Sequence, residues 1–215
     1  RHTEIEKAVR NKDFDRAIKL SKEGIEYDKK ERPGLVKNWY NWLLKIAQTQ
    51  NNRIKIIEYA RFLLIDNFYP EQDYYQLLKQ EVEPDKWKDF LEEIIKEITP
   101  KKSARCYEII PKIFINEKWW DRLLLHLQQN VSFQNIENSE KYLAKDYSLE
   151  LAELYSELLV WYVDVYVGRK HYQKACRYLR RMKKLGAAER VDSLIEMFRE
   201  KYPQRRALMD ELNKV

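Results

Sequence analysis

His171-Tyr172-Gln173-Lys174-Ala175-Cys176-Arg177-Tyr178-Leu179-Arg180-Arg181-Met182-Lys183-Lys184-Leu185-Gly186 sets Ala175, Cys176, Leu179 and Met182 at steps of three and four. That spacing lays them on one face of an α-helix. Lys174, Arg177, Arg181 and Lys184 fall on the opposite face, Arg180 and Lys183 widen the band, and Tyr178 lies at its edge. Gly186 can take the left-handed conformation that ends helices. Val191, Leu194, Ile195 and Phe198 then carry a return helix as far as Pro203, and Ala207 to Leu212 make a last short one. The stretch predicts a helical hairpin with a short polar turn.

Working outward, the same plan recurs. Asn11-Lys12-Asp13 interrupts an apolar series, and Asp13 can cap a helix carrying Phe14, Ala17, Ile18, Leu20 and Ile25. Leu35, Trp39, Trp42, Leu43 and Ile46 continue on one face up to the polar turn at 48–52, and Ile54 to Leu64 form the next helix, ending near Asn67 to Pro70. Pro84 is placed as the first residue of a helix carrying Trp87 to Ile98. Pro111 is expected to kink or divide the helix from Ala104 to Ile115. Trp119, Leu123, Leu124 and Leu127 mark another helix, and Asn130 to Asn138 reads as a polar connection. Leu149 to Val167 reads as the longest and most buried helix, stopped by Gly168, with Trp161 in the core. A succession of helices and short turns without strands is the signature of an α-solenoid.

Composition agrees. Only four of 215 residues are glycine and six are proline, too few for the phosphate loops of doubly wound folds or the hairpins of sandwiches. Hydrophobic residues reach 44% and charged residues 35%, enough for a real core under a solvated surface. The most apolar stretch, Leu158 to Val167, is about half a membrane span, so no membrane partner is expected. Cys106 and Cys176 form no CxxC pair and read as small buried hydrophobes. A chain beginning at Arg1 without a leader reads as a segment of a longer, cytoplasmic protein.

No catalytic constellation emerges. GxGxxG and GxxxxGK stretches are absent, and His2, His126 and His171 stand apart, His126 reading as a helix-surface residue. Neighbouring carboxylates such as Glu92 and Glu93 diverge on a helix. Trp119-Trp120-Asp121 admits a base-stacking and acid pair, as in helical-repeat DNA glycosylases. The plainer reading is a helix start, with Trp119 in the core, Trp120 as partial cover and Asp121 at the positive helix end. No catalytic residue, metal ligand or cofactor is assigned.

Charge supplies the functional signal. Residues 169–215 hold 14 Lys+Arg against 6 Asp+Glu, and the first 168 hold 27 against 29. The basic excess therefore sits wholly in the last segment. Lys174, Arg177, Arg180, Arg181, Lys183 and Lys184 form the candidate binding surface, able to track phosphates or an acidic protein patch.

Two stretches share one layout: Asn11 to Ile18 and Gly168 to Cys176 each give a polar turn, an aromatic, and an alanine three residues on. That layout is tetratricopeptide-like. Tyr172 to Gly186, Phe198 to Tyr202 and Arg205 to Leu212 resemble the C-terminal helical region of bacterial SWIM zinc-finger proteins. The resemblance implies a helical companion to a finger of CxC…CxH pattern. No such pattern occurs here, so its zinc ligands transfer to no residue of this chain. The expected organisation is a helical-repeat array over 1–168, with a basic hairpin and terminal helix over 169–215 packed on it. The expected function is a non-enzymatic scaffold with a protein partner. The first alternative is weak, sequence-independent nucleic-acid binding through the basic surface, and the second is a helical-repeat glycosylase.

Overall fold

The computed structural model describes residues 2–66, 73–101 and 104–215. Among them the chain is all-α, with thirteen α-helices, two short 3-10 turns and no strand. None of the described helices is long and apolar enough to cross a membrane. The protein divides into two compact units, residues 1–110 and 111–215.

The first unit opens with α1 (His2–Arg10), α2 (Phe14–Glu31), α3 (Val36–Thr49), α4 (Arg53–Asp66), α5 (Tyr74–Glu81) and α6 (Trp87–Ile98). Each of α1 to α4 packs on the helix that follows it. Leu44, Leu63, Leu78, Leu91 and Ile94 are fully buried there. The tightest approach is between α2 and α3. The Trp39 indole lies so close to Gly24 that a Cβ at that position would stand 2.6 Å from two ring carbons. Trp39 is fixed: its Nε1 donates to the buried Asp28 carboxylate at 2.7 Å, and its ring stacks on His2 at 4.3 Å. Arg32 Nε donates to the other Asp28 oxygen at 3.1 Å. The buried charge is thus paired and hydrogen-bonded, as burial demands.

The unit boundary falls inside α7 (Ala104–Asn116), which continues through Pro111 rather than dividing there. The second unit then holds α8 (Trp120–Gln129), α9 (Phe133–Leu143), α10 (Ser148–Val165), α11 (Arg169–Lys184), α12 (Ala188–Lys201) and α13 (Arg206–Leu212). Each of α8 to α11 packs on the helix that follows it. In addition α10 meets α12, and α11 meets α13.

One turn geometry is used four times. Lys12, Asn51, Lys118 and Gly186 all have positive φ, at 58°, 51°, 57° and 89°. Each sits one residue past the cap of α1, α3, α7 or α11. At each, two main-chain bonds close the helix end: Asp13 N–H to Ala8 O and Lys12 N–H to Val9 O are one such pair, Ala187 N–H to Met182 O and Gly186 N–H to Lys183 O another. This is the paired pattern of a left-handed helix stop. The residue after the stop starts the next helix. Asp13 accepts the Arg16 N–H and Asn52 accepts the Lys55 N–H, both at 3.2 Å.

Several expectations are corrected. Asn130 to Asn138 is no connection: Ser132 caps α9 by accepting the Asn135 N–H at 3.1 Å, and Ile136, Ser139 and Leu143 bury its inner face. Pro84 lies before α6, not in it, at the second position of a turn closed by Lys86 N–H to Glu83 O. The helix expected over Leu149 to Val167 ends at Val165, and Gly168, at φ 119°, precedes α11 as its N-cap. Trp161 is not in the core; it is 53% exposed. The Cys106 side chain and the helix end near Asn67 to Pro70 lie outside the described residues.

Candidate interaction surface

Helix α11 carries the basic band, and its inner face is sealed. Tyr172, Ala175, Cys176, Tyr178, Leu179 and Met182 are all buried. Tyr178 therefore belongs to the core rather than to the edge of the stripe. Burial pushes the Cys176 thiol up to about 11, so it is an inert, neutral packing group.

The six candidate cations differ in what they touch. Arg181 donates through Nε to Glu140 at 2.6 Å and lies 3.5 Å from Glu137. Glu140 also accepts the Tyr155 phenol at 2.8 Å. Burial first, and the Glu140 hydrogen bond second, raise the pKa of that phenol far above its ordinary value. Arg177 is more exposed, 3.6 Å from Glu137, with its guanidinium donating to Tyr178 Oη at 3.1 Å. Lys174 lies over the rings of Phe133 and Tyr162, at 5.4 and 5.2 Å from their centroids. Arg180 and Lys183 donate to main-chain oxygens of Lys214 and Val215, at 3.2 and 3.3 Å, and Lys183 also lies 3.6 Å from Asp192. Lys184 is exposed and makes no ion pair among the described residues.

Helix α9, in place of the polar connection expected over Asn130 to Asn138, thus supplies the carboxylates that face the band. The signal that could have found it is Ser132 as a cap, followed by Ile136, Ser139 and Leu143 at helical spacing. Aromatic rings run beside the band as well. Phe133 stacks on Tyr178 at 4.0 Å, and the Tyr162 phenol is hydrogen-bonded to His171 Nδ1 at 2.7 Å. Tyr166 stacks on His171 at 5.0 Å and meets Trp161 edge-on at 5.7 Å.

That series ends on an exposed apolar flank. Trp161, Val165, Tyr166 and Val167 are 53%, 53%, 38% and 65% exposed. They form one run at the end of α10 on a surface otherwise rich in charge. A cluster of this kind marks contact sites on soluble proteins.

The remaining candidates have local structural partners. Asp121, in the first turn of α8, accepts the Tyr147 hydroxyl. The Trp120 ring stacks against Tyr142 at 6.1 Å, and the Arg122 guanidinium lies 4.7 Å from the Trp119 ring centroid. Both indoles are half-buried. His126 is half-buried too, its ring edge-to-face with that of Phe114 at 6.2 Å between centroids, and burial lowers its pKa. Among the described residues no three His, Cys, Asp or Glu side chains converge where a metal ion could sit. Comparison of the chain with protein-family models, with curated proteins and with solved structures returns no match.

Proposed function

We propose that this chain is a helical-repeat scaffold for protein contacts, built of tetratricopeptide-like hairpins and without catalytic chemistry of its own. The observation that carries the reading is the apolar flank at the end of α10, because Trp161, Val165 and Val167 are each more than half exposed there. The repeat reading draws support from the turn used four times and from the contacts between helices two apart, α10 with α12 and α11 with α13. Hairpins stacked in a row produce such contacts. In keeping with the resemblance of its last helices, its natural setting is beside a zinc-finger segment of a longer protein, in the cytoplasm.

Direct nucleic-acid binding through α11 has the exposure of Lys174, Arg177 and Lys184 in its favour. Against it stand the carboxylates Glu137 and Glu140, which already face Arg177 and Arg181. Phosphate would have to displace them or add to a face partly neutralised.

A photo-crosslinking amino acid at position 161, introduced in the native host, tests the proposal. The expected result is an adduct with a discrete protein, missing when the same group replaces the exposed Glu196 on α12. Adducts with nucleic acid alone, or no adduct at 161, would overturn it.

A further inference from the structure

The exposed side of α10 carries more than an apolar cluster. Leu158, Trp161 and Val165 stand at i, i+3 and i+7, so they form one stripe about two turns long. Leu158 is half-buried and the other two are open. On one side of the stripe lies an acidic row, Glu150, Glu153, Glu157 and Asp164, spaced i, i+3, i+7 and i+14 and exposed throughout.

Two members of the row are already matched within the chain. Glu153 pairs with Arg190 at 2.5 Å, and Asp164 pairs with Lys201 at 3.2 Å while accepting the Tyr202 hydroxyl. Glu150 and Glu157 form no ion pair among the described residues. They stand two turns apart on the same line, about 10 Å along the axis. The opposite side of the stripe has the other sign, since Tyr162 lies there with the Lys174 ammonium over its ring.

An exposed apolar stripe bordered by a row of carboxylates is complementary to the apolar face and basic edge of an amphipathic helix. We propose that this face of α10 docks an amphipathic helix of a protein partner, its apolar side chains on Leu158, Trp161 and Val165 and its Lys or Arg edge on Glu150 and Glu157. A nucleic acid fits the face less well, because the backbone phosphates would meet Glu157 beside the half-exposed Trp161 indole. A second copy of this chain fits less well too. Its most basic amphipathic helix, α11, has its apolar side buried in its own core. The proposal rests on the protein-contact reading above and adds the chemistry of the partner.

The test uses the full chain and a displayed library of helix-forming peptides of about 18 residues, long enough for five turns. Selection is run on the native chain, and winners are measured as synthetic peptides. The expected winners carry an i, i+3, i+7 apolar stripe with Lys or Arg along one edge. Trp161→Ala, which should lower the melting temperature by no more than about 4 °C, should weaken them about 30-fold or more, as loss of an aromatic anchor does. Glu150→Gln with Glu157→Gln should weaken them a few-fold, and less at high salt. Acidic winners, or winners unaffected by Trp161→Ala, would overturn the proposal while leaving the crosslink at 161 to decide the broader reading. Absence of winners overturns it as well. So does a dimer in sedimentation that Trp161→Ala dissolves, or binding of a single-stranded oligonucleotide that the same change abolishes.

Discussion

Gly24 occupies the middle of an 18-residue helix, where alanine would ordinarily add about 1 kcal/mol of stability. Here the sign reverses. The new methyl would meet the Trp39 ring at 2.6 Å, and that ring is held by Asp28 on its edge and His2 on its face. Gly24→Ala is expected to destabilise the protein by about 1–2 kcal/mol in denaturant titration, the ordinary result of overfilling a packed contact. Trp161 teaches the converse. An indole in a run of apolar residues reads as core, and its removal would then cost about 3–5 kcal/mol. Half-exposed as it is, Trp161→Ala is expected to cost no more than about 1 kcal/mol. Sequence could not separate the two cases. Periodicity says which residues share a face, but outside its acidic row α10 is apolar over most of its circumference, and only the positions of α9, α11 and α12 determine which part of that apolar arc is left uncovered.

At the scale of elements, the helices with clean two-faced patterns were legible and the polar one was not. The hairpin expected from His171 to Pro203 appears as α11 and α12 with the stop at Gly186, because the pattern, the stop and the return helix all agree. Helix α9 was missed because only Ile136, Ser139 and Leu143 face inward, and one of those is a serine. The miss hid the partners of the basic band, since Glu137 and Glu140 come from α9. Placement opposite the apolar face would by itself let Arg177 and Arg181 be reversed without cost to the fold, and the carboxylates of α9 change that. Arg181→Glu would set a third carboxylate against Glu140 and the fully buried Tyr155, and is expected to cost about 2–4 kcal/mol, less than a wholly buried pair because Arg181 is one-third exposed. Arg177→Glu, at the exposed end of the network, should cost about 1 kcal/mol or less. Chemical denaturation of the two single variants distinguishes them. The turns offer a test of the opposite sign. Lys118 holds a left-handed conformation that a side chain disfavours by about 1–2 kcal/mol. Lys118→Gly should therefore stabilise the protein by about 0.5–1 kcal/mol, net of the freedom glycine adds to the unfolded chain.

At the scale of the whole molecule, charge asymmetry was plain in the sequence but its use was not. A balance of 14 Lys+Arg against 6 Asp+Glu in the last 47 residues, in a chain of net charge +6, suggests a phosphate-tracking surface. Four free cations on duplex DNA would give a log–log salt slope near −3.6. With Arg177 and Arg181 facing carboxylates of α9, about two remain, so any binding should show a slope no steeper than about −1.8. Fluorescence anisotropy with a labelled duplex across 50 to 300 mM salt measures it, and a slope near −3.6 would return the band to nucleic acid. The layer beneath that band has a separate use. Cys176 is wholly enclosed and its thiol is held neutral, so a thiol reagent can reach it only when α11 lifts from its neighbours. Peptide-resolved labelling at Cys176 is therefore a stopwatch on that event, and a bound partner that steadies α10 and α11 should make it tick more slowly.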